Sequence, residues 1–142
     1  MRYPKTIQNL IDLLTKLPSV GPKTAERYVF YLLNRSAEEL QQLALAIAEL
    51  KEKTVICKIC GAVAEQSPCT ICGDKKRDPA KLCIVANTRD MLSIESTGVY
   101  DGYYHILGGV INTIANIKPE DLQINSLINK VKNSKVKELI LG

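Results

Sequence analysis

The chain has 142 residues, enough for one domain or two small ones packed together. Apolar residues make up 46% and charged residues 24%, which excludes a disordered chain, and no run approaches the roughly 20 apolar residues of a membrane span. The net charge of +4 permits a nucleic-acid partner without requiring one.

Met1-Arg2-Tyr3-Pro4-Lys5 leads into a helical pattern and not into an apolar run with a cleavage site, so the reading is no signal peptide and a cytoplasmic protein. Ile7, Leu10, Ile11, Leu14 and Leu17 recur at helical spacing and predict a first helix over 7–17. Leu17-Pro18-Ser19-Val20-Gly21-Pro22-Lys23 then breaks it. Gly21 followed by Pro22 suits an N-cap and first helical position, and the second helix is expected from about Lys23 to Leu33. Ser36-x-x-Glu39 is a capping box, opening a third helix with Leu40, Leu43, Ala44, Ile47 and Leu50 along one side.

From Cys57 to Pro79 no helical or strand period survives. Leu82 to Ala86 reads as a fully buried strand, Thr88 to Glu95 as a short helix and Tyr103 to Leu107 as a second strand. Ser126 to Lys132 is amphipathic, and Val136 to Leu141 reads as a third strand. Strands alternating with helices imply a parallel α/β sheet. The organisation is therefore α+β in three parts: a helical hairpin arm (1–56), a metal-binding insert (57–80) and an α/β piece (81–142). Their net charges of +2, +1 and +1 leave no basic tail.

Cys57-x-x-Cys60 and Cys69-x-x-Cys72 are the strongest chemical signal. In a reducing cytosol, paired C-x-x-C turns point to metal and not to disulfides. Two such turns supply the four soft ligands of one tetrahedral Zn²⁺. With no open coordination position, that ion is structural. Gly61 and Gly73 follow the two pairs and are read as letting the backbone turn tightly and aim amides at the thiolates. The segment is too poor in apolar side chains to fold without the metal. Cys83, inside an apolar strand, reads as a buried thiol and not as a fifth ligand.

The segment from Pro18 to Thr24 resembles a helix-hairpin-helix DNA-binding motif. Gly21 opens a helix whose backbone N–H groups suit a phosphate. Lys23 and Arg27 lie four apart and share a face. Ser19 stands where that motif usually carries its first glycine. Elsewhere, His105 reads as a strand residue and not as a general base. Tyr100, Tyr103 and Tyr104 read as packing at a strand edge. Lys75-Lys76-Arg77 reads as a solvated turn, and Lys130, Lys132, Lys135 and Lys137 as an exposed basic face.

In this order, the hairpin, the four cysteines and Ile94-Glu95-Ser96-Thr97-Gly98 with Tyr104-His105-Ile106-Leu107-Gly108-Gly109 resemble the RecR family of bacterial recombination mediators over essentially the whole chain. The resemblance implies that residues 81 onward begin a Toprim domain. It implies a DNA binder without catalytic activity that loads RecA onto single-stranded or gapped DNA with RecO and RecF. Two departures stand out. The first Toprim strand normally ends in an acidic residue, where this chain has Ala86 and Asn87. The chain also stops at Gly142, where the family continues, so it is read as a truncated form or a fragment. The resemblance further implies rings held by two kinds of contact. With only the arm contact kept, the expectation is a dimer through residues 1–56, no closed tetramer, and an exposed apolar edge at Val136 to Leu141. The rival readings are a metal-dependent Toprim nuclease or primase-like enzyme, and a protein-interaction module without a DNA function.

Overall fold

A computed structural model describes residues 3–142; Met1 and Arg2, where the reading of the N-terminus begins, lie outside the described residues. The chain divides into two compact units, Met1–Leu50 and Lys51–Gly142.

The first unit is helical. Helix α1 (Lys5–Leu14) and helix α2 (Pro22–Leu33) close over a small core of Ile11, Ala25 and Val29. Helix α1 stops three residues before the expected Leu17. Pro18 disfavours helical backbone at the residue before it, and Leu17 is left half exposed. Gly21 is the N-cap of α2 and Pro22 its first residue, as the sequence implies. Helix α3 (Ala37–Glu52) opens on the expected capping box: the Glu39 amide donates to Ser36 Oγ at 3.2 Å and the Ser36 amide to Glu39 Oε2 at 3.1 Å. No residue of α3 is buried. Its apolar side lines a groove of about 350 Å³ with Ile7, Leu10 and Leu32, and Leu43 and Ile47 stay exposed.

The second unit opens on a two-stranded hairpin, β1 (Val55–Ile56) and β2 (Val63–Ala64), with antiparallel pairs Val55 to Ala64 and Ile56 to Val63. A one-turn helix, α4 (Thr70–Gly73), follows. The region expected to carry no regular structure, Cys57 to Pro79, thus holds β2, a helical turn and the first residues of the next strand, while β1 lies just before it; β1, β2 and α4 are each too short to leave a period in the sequence. Strand β3 (Asp78–Val85) also begins earlier than expected. Pro79 is accommodated because the register with the neighbouring strand shifts between Asp78 and Leu82.

Helix α5 (Thr88–Glu95), strand β4 (Gly102–Ile106), a 3₁₀ turn at Pro119–Asp121, helix α6 (Ile124–Asn133) and strand β5 (Glu138–Leu141) complete the unit. The sheet order is β4-β3-β5, all parallel, with Cys83 beside Tyr104 and Ile140. Parallel strands with helical crossovers are the predicted arrangement. Strand β5 is an edge with Leu139 and Leu141 exposed, also as expected. Cys83, Val85, Tyr104 and Ile106 share one buried cluster with Met91, Cys57, Cys60 and Cys69, so the metal-binding hairpin and the sheet have a common core.

Candidate zinc centre and nucleic-acid interface

The hairpin of β1 and β2 carries Cys57 and Cys60 at its tip. The turn closes through the Gly61 amide on the Cys57 carbonyl at 2.8 Å and the Cys57 amide on the Ala62 carbonyl at 2.8 Å. Gly61 has φ +83°, and a Cβ there would meet the Ile106 carbonyl oxygen at 3.3 Å. Both facts call for glycine. Gly73 differs from its sequence reading: it lies in α4 without positive φ, and a Cβ would enter open space. The second pair instead uses helical geometry. Cys69 caps α4, and its sulfur accepts from the Cys72 amide at 3.4 Å.

All four sulfurs lie within 4.8 Å of one another, with Cys60 and Cys69 at 3.7 Å. A tetrahedron of thiolates about 2.3 Å from zinc has edges of roughly 3.8 Å, so the cluster is already near metal-binding size. The Cys69 amide points at Cys57 Sγ at 3.4 Å, a partner for charged sulfur. The neighbouring Cys72 holds the Cys60 thiol below its ordinary value, at about 5, against burial, and Cys60 in turn pushes the Cys72 thiol up. Four sulfurs this close suit one dication in place of their thiol protons. Cys83 lies outside the cluster, buried, and burial pushes its thiol up.

The centre is tied to the sheet. The Ile106 amide donates to the Cys60 carbonyl at 2.7 Å, so the first cysteine turn covers the outer edge of β4. The Val63 amide donates to Thr88 Oγ1 at 2.9 Å, at the start of α5. Two readings of basic residues are corrected here. Arg77 does not sit in a solvated turn: its side chain is 13% exposed, ion-paired with Glu95, and it donates to the Gly102 carbonyl at 2.9 Å. Lys75 and Lys76 are exposed as expected. Lys130 leaves the expected basic face and donates to the Ile59 carbonyl at 2.7 Å, while Lys132, Lys135 and Lys137 stay exposed.

The tyrosines pack as read. Tyr104 is fully buried, Tyr100 meets it edge-on at 5.0 Å and donates to the Tyr103 carbonyl, and Tyr103 donates to the Asp74 carbonyl. His105 is buried in β4. Its Nε2 lies 2.9 Å from the Gln123 carbonyl, and burial draws its pKa below the ordinary value. At the carboxyl end of β3, where the resemblance implies an acidic residue, Asn87 caps α5. It accepts from the Asp90 amide at 3.0 Å and donates to Asp90 Oδ2 at 2.8 Å.

In the first unit, Gly21 and Lys23 lie at the amino end of α2, which no side chain caps, and Arg27 lies one turn further on; all three are exposed. Ser19 has φ +63°, the left-handed conformation that favours glycine.

Comparison with known proteins extends these observations. Residues 7–51 match the family model described as RecR, helix-hairpin-helix, residues 54–74 that of the RecR four-cysteine zinc finger domain, and residues 80–141 a Toprim domain. The four-cysteine cluster is thus the metal site of a zinc finger. Recombination protein RecR of Bifidobacterium adolescentis is 52% identical over all 142 residues, which span 71% of that protein. The Bifidobacterium animalis protein of the same name is 48% identical over the same share, and that of Staphylococcus saprophyticus 44% over 72% of its length. No helix among the described residues is long and apolar enough to cross a membrane.

Proposed function

The chain belongs to the RecR family of recombination proteins, and from that membership we propose that it is a DNA-binding mediator that helps load RecA onto single-stranded or gapped DNA with RecO and RecF. The observation that carries this reading is the exposed hairpin. Gly21 presents an uncapped helix end, and Lys23 and Arg27 follow it one turn apart on one face. Amides and two cations so arranged suit the phosphate backbone. Such contacts position the protein without reading bases, as a mediator acting at any gap requires.

The protein acts without chemistry of its own in this reading. A metal-dependent Toprim reaction needs carboxylates converging at strand ends. The end of β3 carries Ala86 and Asn87, and Asn87 is occupied in capping α5. The zinc finger is structural, and cysteine pairs used for metal and not for disulfides fit a cytoplasmic protein. Two copies pair through the apolar side that α3 leaves open.

The test is RecA filament growth on single-stranded DNA coated with single-strand binding protein, in the presence of RecO and RecF. Adding the chain should shorten the lag. An unchanged lag at saturating concentration would contradict the proposal.

A further inference from the structure

Lys130 lies on α6, far along the chain from the zinc ligands, yet it is half-buried with its ammonium turned onto the finger. Nζ donates to the Ile59 carbonyl at 2.7 Å and lies 3.4 Å from the Tyr104 carbonyl. Ile59 sits between the ligands Cys57 and Cys60. Cys72, the one ligand that is not fully buried, lines a cavity of about 280 Å³ together with Lys130, Ile59 and Tyr104.

The electrostatics of the site call for such a group. Four thiolates around a dication leave a net charge of about −2, in a centre with three of its four ligands buried. Charge held away from water is costly unless a counter-ion is near. Lys81 lines the same cavity but is engaged with Asp78 and Asp101. His105 uses Nε2 on the Gln123 carbonyl.

We infer that Lys130 is the counter-ion of the zinc tetrathiolate, a positioning residue that holds the first cysteine turn through Ile59 and offsets the negative charge beside Cys72. Without its charge the thiolates keep more electron density. They then take up protons and electrophiles more readily, and each sulfur so capped gives up its bond to zinc, so the ion leaves sooner.

The experiment uses the zinc-loaded full chain and three variants: Lys130→Met, which keeps length and removes charge; Lys130→Gln, which keeps a hydrogen-bond donor; and Lys130→Arg, which keeps charge. Lys132→Gln, on the exposed side of the same helix, is the control. Zinc loss is followed in excess EDTA. In parallel, iodoacetamide reports on sulfur reactivity: the thiolate forms an S–C bond, iodide leaves, and mass mapping locates the site.

Removing a residue that supports metal ligands typically costs 10- to 100-fold, so Lys130→Met and Lys130→Gln should lose zinc about 10-fold faster, with alkylation first at Cys72. Lys130→Arg should stay within about threefold of the parent, because the charge survives while the geometry changes. Lys132→Gln should match the parent. If Lys130→Met does not fold, Lys130→Gln decides. Parent-like zinc loss in Lys130→Gln overturns the inference. So does equal damage in Lys130→Arg and Lys130→Gln, which would mark packing and not charge as the role.

Discussion

Ser19 carries a backbone conformation that its side chain does not favour. It stands at φ +63° in the turn between α1 and α2, where the Val20 amide closes back on the Leu17 carbonyl at 3.2 Å. Left-handed backbone costs an L-residue about 1–2 kcal/mol. Glycine removes that cost but returns roughly 0.4–1 kcal/mol through the freer unfolded chain. Ser19→Gly should therefore raise stability by about 0.5–1 kcal/mol in urea, with unchanged slope. Ser19→Val should lower it, since a β-branched side chain resists this region. No gain in the glycine variant would mean that the turn relaxes elsewhere. Arg77 gives a second test. Its pair with Glu95 is mostly shielded from water, and removing one member leaves the other charge without its partner. Arg77→Ala should cost about 3 kcal/mol, and Arg77→Ala with Glu95→Ala no more than that. A double variant whose loss is the plain sum of the two single losses would show that the pair is not coupled. Neither Arg77 nor Lys130 reveals its partner in the sequence. Long cationic side chains read locally as solvated, and their partners lie 18 and 71 residues away.

At the scale of elements, the cysteine turns are the most legible feature, because tetrahedral coordination dictates ligand type and local spacing whatever the rest of the fold does. Helices α2, α3 and α5 were legible from periodicity and caps. What escaped were β1, β2 and α4, whose lengths of two to four residues leave no period and whose shape depends on the metal ligands. The shared core of finger and sheet escaped as well, since it rests on Ile106 pairing with Cys60 across 46 positions of chain. That sharing predicts a long-range effect. Stripping zinc with a chelator should lower the melting temperature and speed hydrogen exchange at the Ile106 amide, not only at residues 57–72. Cys60→Ser should behave like the stripped protein, whereas Cys83→Ser should keep one zinc per chain. An Ile106 amide as protected without zinc as with it would show that the sheet edge stands without the finger.

For the whole molecule, the basic excess is small and spread out, so DNA binding is expected to rest on placement more than on net charge. Association through the arm belongs to the same scale. A helix of 16 residues with none buried leaves an apolar side open to water, and a second arm would cover it. Ile47→Glu should therefore shift the protein toward monomer in light scattering while its helix content stays the same. A parent that is itself monomeric at all concentrations would contradict arm pairing. The central claim, that the hairpin holds DNA by its phosphates, is tested most directly by a salt titration of single-stranded and gapped duplex DNA against the parent and Lys23→Glu with Arg27→Glu. The parent should bind several sequences alike and weaken steeply with salt. The double variant should bind all of them more weakly, with a salt slope shallower by about 2 and its zinc content unchanged. A double variant that binds as tightly at moderate salt, with the parent's slope, would place the DNA site elsewhere.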